Sequence, residues 1–336
     1  MRYQDGGPMA AVFFCEPIAG APGDACAEMA MPRHRRYIAG FDFLRDPMTP
    51  SGMTQSGMTP SGMTRTGMQH SGSLACVGLG MMLGAHVSPR SRSHIEQAEV
   101  VFALVSDPLV ELWLQQMRPE VRSLQPYYAE GKSRQVTYRE MVEAMLVEVR
   151  AGRRVCGVFY GHPGVFALVP HLAIERARGE GFDAHMEPGI SAEDCLYADL
   201  GIDPGRLGCQ HYEASQLMFY RRRIDPSAYL ILWQVGIAGD RTYRRFATGP
   251  EYRRLLVERL RQDYPGDHEV IVYEAATLPI TQPRMETVTL RDLPDTPLHM
   301  HSTLVVPPCA PLQRDEAMLA RIEALERAEA GATEQA

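Results

Sequence analysis

From Ser73 onward, short apolar runs alternate with longer stretches whose apolar positions recur every three or four residues. That alternation predicts strands and helices in turn. Leu74-Ala75-Cys76-Val77 reads as a buried strand running into the glycine turn Gly78-Leu79-Gly80. Ser88-Pro89 offers a cap and a first-turn proline for a helix to about Ala98. A second strand at 100–105 ends at Ser106-Asp107-Pro108, and a helix follows to about Met117. After a loop at 125–134 come a helix at 136–151 and a strand at 155–159, which stops at Tyr160-Gly161-His162-Pro163-Gly164. Strand and helix in alternation, with small or polar turns after the strands, predict a largely parallel α/β sheet. Its ligand crevice should lie beyond the carboxyl ends of the strands.

The second half has a different rhythm. After a helix at 192–200, the segments 211–214, 217–223, 229–235, 270–275 and 302–306 all read as strands, with one helix at 250–264 between them. Strands without regular helical crossovers predict a mixed or antiparallel second sheet. Met318, Leu319, Ile322 and Leu325 then mark an amphipathic tail helix. The expected organisation is an α/β chain with two subdomains, 72–188 carrying the parallel sheet and 189–310 the mixed sheet, followed by a helical tail at 311–336. Residues 1–71 stand apart. Gly-Met recurs every five residues between 48 and 68 among Ser, Thr, Pro and Gln. Such a low-complexity stretch has no helical or strand period and should be disordered.

Composition narrows the function classes. At 336 residues, 45% hydrophobic and 22% charged, the chain is long enough for two ordinary globular domains. A net charge of −7 argues against a nucleic-acid partner. No apolar run reaches the roughly 18 residues of a membrane span. Seven scattered cysteines without a C-x-x-C pair point to a reducing cytoplasm and to no zinc. The chain has no asparagine and a single lysine, Lys132, which draws attention to its neighbourhood.

Gly78-x-Gly80 is a poor dinucleotide fingerprint, because Gly84 comes one position late and the helix begins further on. A better match lies in longer segments: Tyr127-Tyr128-Ala129-Glu130-Gly131-Lys132-Ser133-Arg134, the run from Gly157 to Phe166, and Pro188-Gly189-Ile190-Ser191-Ala192-Glu193-Asp194-Cys195-Leu196. Ile202-Asp203-Pro204 and Tyr212-Glu213-Ala214-Ser215 extend it. On these residues the stretch 73–308 resembles the tetrapyrrole methylase superfamily and, within it, the borosin peptide α-N-methyltransferases. The superfamily usually has aspartate where this chain has His162, and that histidine is the specific part of the match.

The resemblance implies S-adenosylmethionine as cofactor, bound between two α/β domains. It places Tyr160, His162, Val165, Phe166, Ser191 and Ala192 at that site, completed by Gln234, Ala275, Ser302 and Thr303. It places Tyr128, Arg134 and Tyr138 at the catalytic positions. The chemistry suits them: an amide nitrogen is a poor nucleophile because its lone pair is delocalised into the carbonyl. A guanidinium can hold the developing imidate oxygen. A tyrosine drawn toward phenolate by a nearby cation is a candidate base. Arg134 and Tyr138 are four residues apart and share a face if a helix begins by Arg134.

The resemblance further implies a homodimer and a precursor peptide as substrate. Fungal members carry that peptide at their own C-terminus. The ending Glu-Ala-Gly-Ala-Thr-Glu-Gln-Ala is small and acidic, so a separate precursor acting in trans is expected here. Two rivals stay open: a tetrapyrrole C-methyltransferase and a non-catalytic peptide-binding relative. Of the remaining polar residues, His211 reads as structural and Arg221-Arg222-Arg223 as a solvated strand end. His299 and His301 have no carboxylate or cysteine spaced to complete a metal site, so no metal is expected.

Overall fold

The computed structural model describes residues 71–105 and 107–333. The pentad repeat at 48–68, and with it nearly all of the extension, lies outside them, as does Ser106. Five strands, β1 (Ser73–Gly78), β2 (Val100–Leu104), β3 (Val121–Ser123), β4 (Arg154–Phe159) and β5 (Asp183–Glu187), form a sheet of order β3-β2-β4-β1-β5. Every pairing in it is parallel. Four helices cover its faces: α1 (Pro89–Gln97), α2 (Pro108–Met117), α3 (Arg134–Arg150) and α4 (Leu168–Gly179). Strands β1, β2 and β4 are apolar along nearly their whole length because both faces are buried, one under each of two hydrophobic clusters.

The helix starts follow local chemistry. Ser88 accepts a hydrogen bond from the Ser91 N–H at 3.0 Å, and Asp107 accepts one from the Leu109 N–H at 2.7 Å, each with proline in the first turn.

Helices α5 (Ala192–Leu200) and α6 (Pro204–Leu207) lead into a second sheet. It contains β6 (Cys209–Glu213), β7 (Tyr229–Trp233), β8 (Glu269–Glu274), β9 (Arg284–Thr289) and β10 (Thr303–Val306), in the order β6-β7-β10-β8-β9. The β6–β7 pair is parallel and the other pairs are antiparallel, so the sheet is mixed, as expected. Helices α7 (Ala214–Phe219) and α8 (Pro250–Leu260) pack against each other, and α9 (Glu316–Thr333) ends the described chain. No described helix is long and apolar enough to cross a membrane.

One expectation needs correction, and other elements had no signal in the sequence. Residues 217–223 are not a strand: 214–219 form α7 and the arginine triplet beyond it is irregular and exposed. A short apolar run has no period of its own, and here Ala214 and Leu217 are buried from a helix, three residues apart. The edge strands β5 and β9 carry charged residues in alternation with others, as edge strands do, and so lack an apolar signature. Helix α4 was likewise not anticipated.

Candidate active site

Four glycines set the floor of the site. At the carboxyl ends of β1 and β4 the Gly161 N–H donates to the Gly80 carbonyl at 2.9 Å, and the Gly80 N–H donates back to Gly161 at 3.1 Å. Gly161 turns the chain with φ +62, a conformation glycine adopts without strain. Gly189, just after β5, lies so close that a Cβ on Gly78 would sit 2.8 Å from its Cα. The three strand ends therefore meet backbone to backbone, opening a cavity of about 300 Å³ toward the second sheet.

All of the cofactor-site residues named from the sequence line this cavity except Ser302. Ser302 is buried beside it instead: its hydroxyl donates to Glu274 at 2.5 Å and accepts from the His299 N–H at 2.7 Å. Ser191 caps α5 in a reciprocal box with Asp194, which fixes the wall that Ser191 and Ala192 contribute. Phe166 (φ +49) and Gln234 (φ +58) sit in the left-handed region, a strained conformation for non-glycine residues that recurs at ligand sites. The Gln234 side chain is buried, and its Oε1 has no hydrogen-bond partner among the described residues. It is an acceptor turned into a binding wall.

Trp233 is a wall residue that the sequence reading missed. Its ring packs 5.1 Å from that of Phe166, and its indole N–H donates to His211 Nδ1 at 3.2 Å. His211 is stacked on the same indole, with Nε2 2.9 Å from the Tyr197 hydroxyl. It is structural, as expected, and it orients the tryptophan. An aromatic residue at the carboxyl end of β7, directly before Gln234, was the available signal.

The second group forms where α3 begins. Arg134 is its first residue and is 2% exposed, with Tyr128 and Tyr138 also buried and their rings perpendicular at 6.4 Å. The Arg134 guanidinium donates to the Arg245 carbonyl at 2.6 Å and to Asp240 Oδ2 at 3.3 Å. Burial alone would raise the Asp240 pKa. Hydrogen bonds from Thr242 and from the backbone at 242 and 245, with the Arg134 charge, hold it below its ordinary value. Lys132 bridges the Tyr127 carbonyl, at 2.9 Å, and Glu140 of α3, so the lone lysine pins the loop carrying Tyr128 to the helix carrying Tyr138. Tyr160 joins the two groups, lining the cavity while packing on the cluster that contains Tyr128 and Tyr138.

The expected pull of a cation on a phenol is outweighed. Burial raises Tyr138 well above the ordinary tyrosine value, Tyr128 adds to the rise, and Arg134 opposes it without prevailing. Tyr160 rises through burial and the neighbouring Tyr128. At neutral pH Tyr138 and Tyr160 are therefore hydrogen-bonding groups rather than phenolates. Glu213, at the end of β6 beside Arg134, was also missed: burial pushes its carboxyl up to about 7. A carboxyl raised from 4.5 binds more protons folded than unfolded, so its contribution to stability falls as pH rises from about 4.5 to 7. Glu213→Gln should therefore be more stable than the parent at pH 8, by about 1–3 kcal/mol, with the gap closing below pH 5. Urea unfolding at the two pH values checks this.

Glu274 corrects the reading of the histidine pair. It lies 2.9 Å from His299 Nδ1 and 3.4 Å from His301 Nε2, and Arg284 donates to it at 2.9 Å. β8 supplies it from about 25 residues upstream, a contact that no local spacing reveals.

A model of the tetrapyrrole (corrin/porphyrin) methylases matches residues 73–294, most of the described chain. The chain belongs to that family. Among its relatives, this tetrapyrrole methylase is 44% identical over 244 residues to the methyltransferase/precursor of the cyclic gymnopeptides from Gymnopus fusipes, covering 71% of this chain and 58% of that protein. It is 42% identical over 248 residues to a type I borosin cyclic peptide precursor methyltransferase from Coprinopsis marcescibilis (72% and 63%). It is 39% identical over 259 residues to the omphalotin A precursor methyltransferase from Omphalotus olearius (76% and 62%). The chain thus spans about three fifths of the length of these relatives. Its fold is similar to that of the uroporphyrin-III C-methyltransferase from Thermus thermophilus, with a TM-score of 0.50 at 20% identity, covering 71% of this chain and 93% of that one.

Proposed function

We propose that this methylase transfers methyl groups from S-adenosylmethionine to backbone amide nitrogens of a ribosomally made precursor peptide supplied as a separate chain. The reading rests on one juxtaposition: a buried arginine between two tyrosines, joined through Tyr160 to an aromatic-walled cavity that presents an unsatisfied amide oxygen. That cavity suits the cofactor. Phe166 and Trp233 offer flat apolar walls, and Gln234 Oε1 can accept from an exocyclic adenine amine. The bound cofactor supplies an electrophilic methyl carried on a sulfonium.

The chain's own residues then have defined tasks. Arg134 faces the charge that moves onto the amide oxygen and stabilises it without reorganising, because Asp240 and the Arg245 carbonyl already hold it in place. Tyr128 and Tyr138, both buried, orient the amide by hydrogen bonds to its oxygen and nitrogen. The nitrogen becomes far more acidic as the methyl arrives, so a weak acceptor suffices late in the transfer. Burial of the whole trio excludes water that would compete for those bonds.

The relatives whose names include a cyclic peptide precursor support the peptide as substrate. A tetrapyrrole substrate is disfavoured by the lining. The guanidinium at the cavity wall, Arg284, is neutralised by Glu274 and Glu286, leaving a poor seat for a polyanionic macrocycle. The enzyme would act as a homodimer, for which the exposed Met318, Ile322 and Leu325 on one stripe of α9 offer a contact surface. It would act in the cytoplasm, where the free thiols of Cys195, Cys209 and Cys309 persist.

Intact-mass spectrometry tests the proposal, with this chain co-expressed with candidate precursor peptides. Methyl increments of the peptide, mapped by fragmentation to backbone nitrogens, are expected. Increments on this chain itself would instead mean self-methylation, and no increments alongside binding of a porphyrinogen would favour the tetrapyrrole reading. Tyr138→Phe, which keeps the ring but loses the hydroxyl, should slow methylation about 10- to 100-fold with cofactor affinity unchanged.

A further inference from the structure

Away from the active site, the outer edge of the parallel sheet carries a second cluster. His185 and Glu187 are two apart on β5 and so point to the same face of that edge strand, toward α1. From α1, His94 meets them. Its Nε2 lies 3.4 Å from His185 Nε2 and 3.6 Å from Glu187 Oε1, and His185 Nε2 lies 3.8 Å from the same oxygen. The two imidazoles approach edge-on, at 60°, rather than stacking.

Those three separations define a triangle. The centre of the circle through its corners is about 2.1 Å from each atom, the bond length of zinc to imidazole nitrogen or carboxylate oxygen. Two imidazoles and a carboxylate are also the donor set that borderline transition metals favour, whereas magnesium and calcium favour oxygen donors. We propose that His94, His185 and Glu187 bind a zinc-class divalent ion, with solvent as the fourth ligand. The histidine side chains are 31% and 38% exposed, which leaves that fourth position open to water, while the carboxylate is 9% exposed and held in place.

Arg90 shares Glu187 Oε1, at 2.5 Å, and is the group a metal ion must displace. Its side chain is 76% exposed, so it moves into solvent at small cost. The other candidate cluster, Glu274 with His299 and His301, differs on this point. There the carboxylate also takes bonds from Arg284 and the buried Ser302, so its cation and its hydrogen-bond donors are already built in. Metal at the β5 edge would tie α1 to the last residue of the strand that feeds Pro188-Gly189-Ile190-Ser191, the turn entering the cofactor wall. It would brace the site from behind without touching substrate.

The test uses the full chain, stripped with a chelator and titrated calorimetrically with zinc chloride and, separately, magnesium chloride. Binding of zinc and not of magnesium is expected, with a zinc-edge X-ray absorption spectrum of two imidazoles and light oxygen ligands. His94→Ala and His185→Ala, both at partly exposed positions, should each weaken zinc binding by more than about a hundredfold, beyond the loss typical of an outer-shell change. Zinc should raise the melting temperature of the parent and not that of these two variants. His299→Ala should bind zinc as the parent does. The proposal is overturned if the parent binds no zinc, if both variants bind as tightly as the parent, or if binding is lost with His299 instead.

Discussion

An Arg134→Lys enzyme should methylate peptide about 10²–10³-fold more slowly than the parent while binding cofactor with unchanged affinity. The magnitude is that of removing a preorganised donor from a developing oxyanion. Lysine keeps the positive charge but not the planar fork. In the parent, Nη1 donates to the Arg245 carbonyl and Nη2 to Asp240, two bonds that fix the plane of the guanidinium before substrate arrives. An ammonium at that depth satisfies Asp240 or the carbonyl, and its remaining protons are not aimed at a substrate oxygen.

Lysine is the informative replacement because alanine would confound two effects. Arg134→Ala leaves Asp240 buried at 1% exposure without its counter-charge, which costs about 3–5 kcal/mol of stability and endangers the fold. Cofactor affinity should survive Arg134→Lys because Arg134 does not line the cavity. Single-turnover kinetics with a bound peptide separates the cases. A chemical step as fast as the parent's would leave Arg134 only a structural role at the start of α3.

Gly189→Ala should weaken cofactor binding at least about tenfold and lower the melting temperature by several degrees. A Cβ there would lie 2.3 Å from the Gly161 carbonyl oxygen and 2.9 Å from the Gly78 Cα. Both neighbours are backbone of central strand ends, so neither can rotate aside as a side chain would. The strain must spread into the turns after β4 and β5, which carry His162 on one side and Ser191 on the other. Gly78→Ala meets the same contacts from the opposite direction, at 2.5 Å from the Gly161 oxygen, and should behave alike. Gly179→Ala is the control: it ends α4, and an added Cβ there meets nothing within 4 Å. Calorimetric titration of cofactor together with thermal melts reads both parts. Parent-like affinity in Gly189→Ala would mean that the three strand ends tolerate separation and do not set the site.

Much of this was legible in the chain alone. The buried strands β1, β2, β4, β7, β8 and β10 announced themselves because strands covered on both faces must be apolar along their length. The start of α1 was legible because a capping serine serves N–H groups only two or three residues away. Most of the residues named from the sequence for the cofactor line one cavity because they stand at strand ends or in the turns just after them. Locality is the common feature of these successes.

Other features have no local signature. Glu274 meets His299, and Asp240 meets Arg134 from more than a hundred residues away; neither pairing leaves a spacing to read. The Tyr138 phenol shifts upward, not toward phenolate, because burial is a property of everything packed around it and outweighs one nearby charge. Ser302 turned from the cavity because Glu274 claims its hydroxyl. The sequence by itself determined the strands covered on both faces and the capped start of α1, since those depend on neighbours along the chain. Only the tertiary structure decided which charges pair and how far each proton affinity moves, because desolvation and contact depend on distance in space.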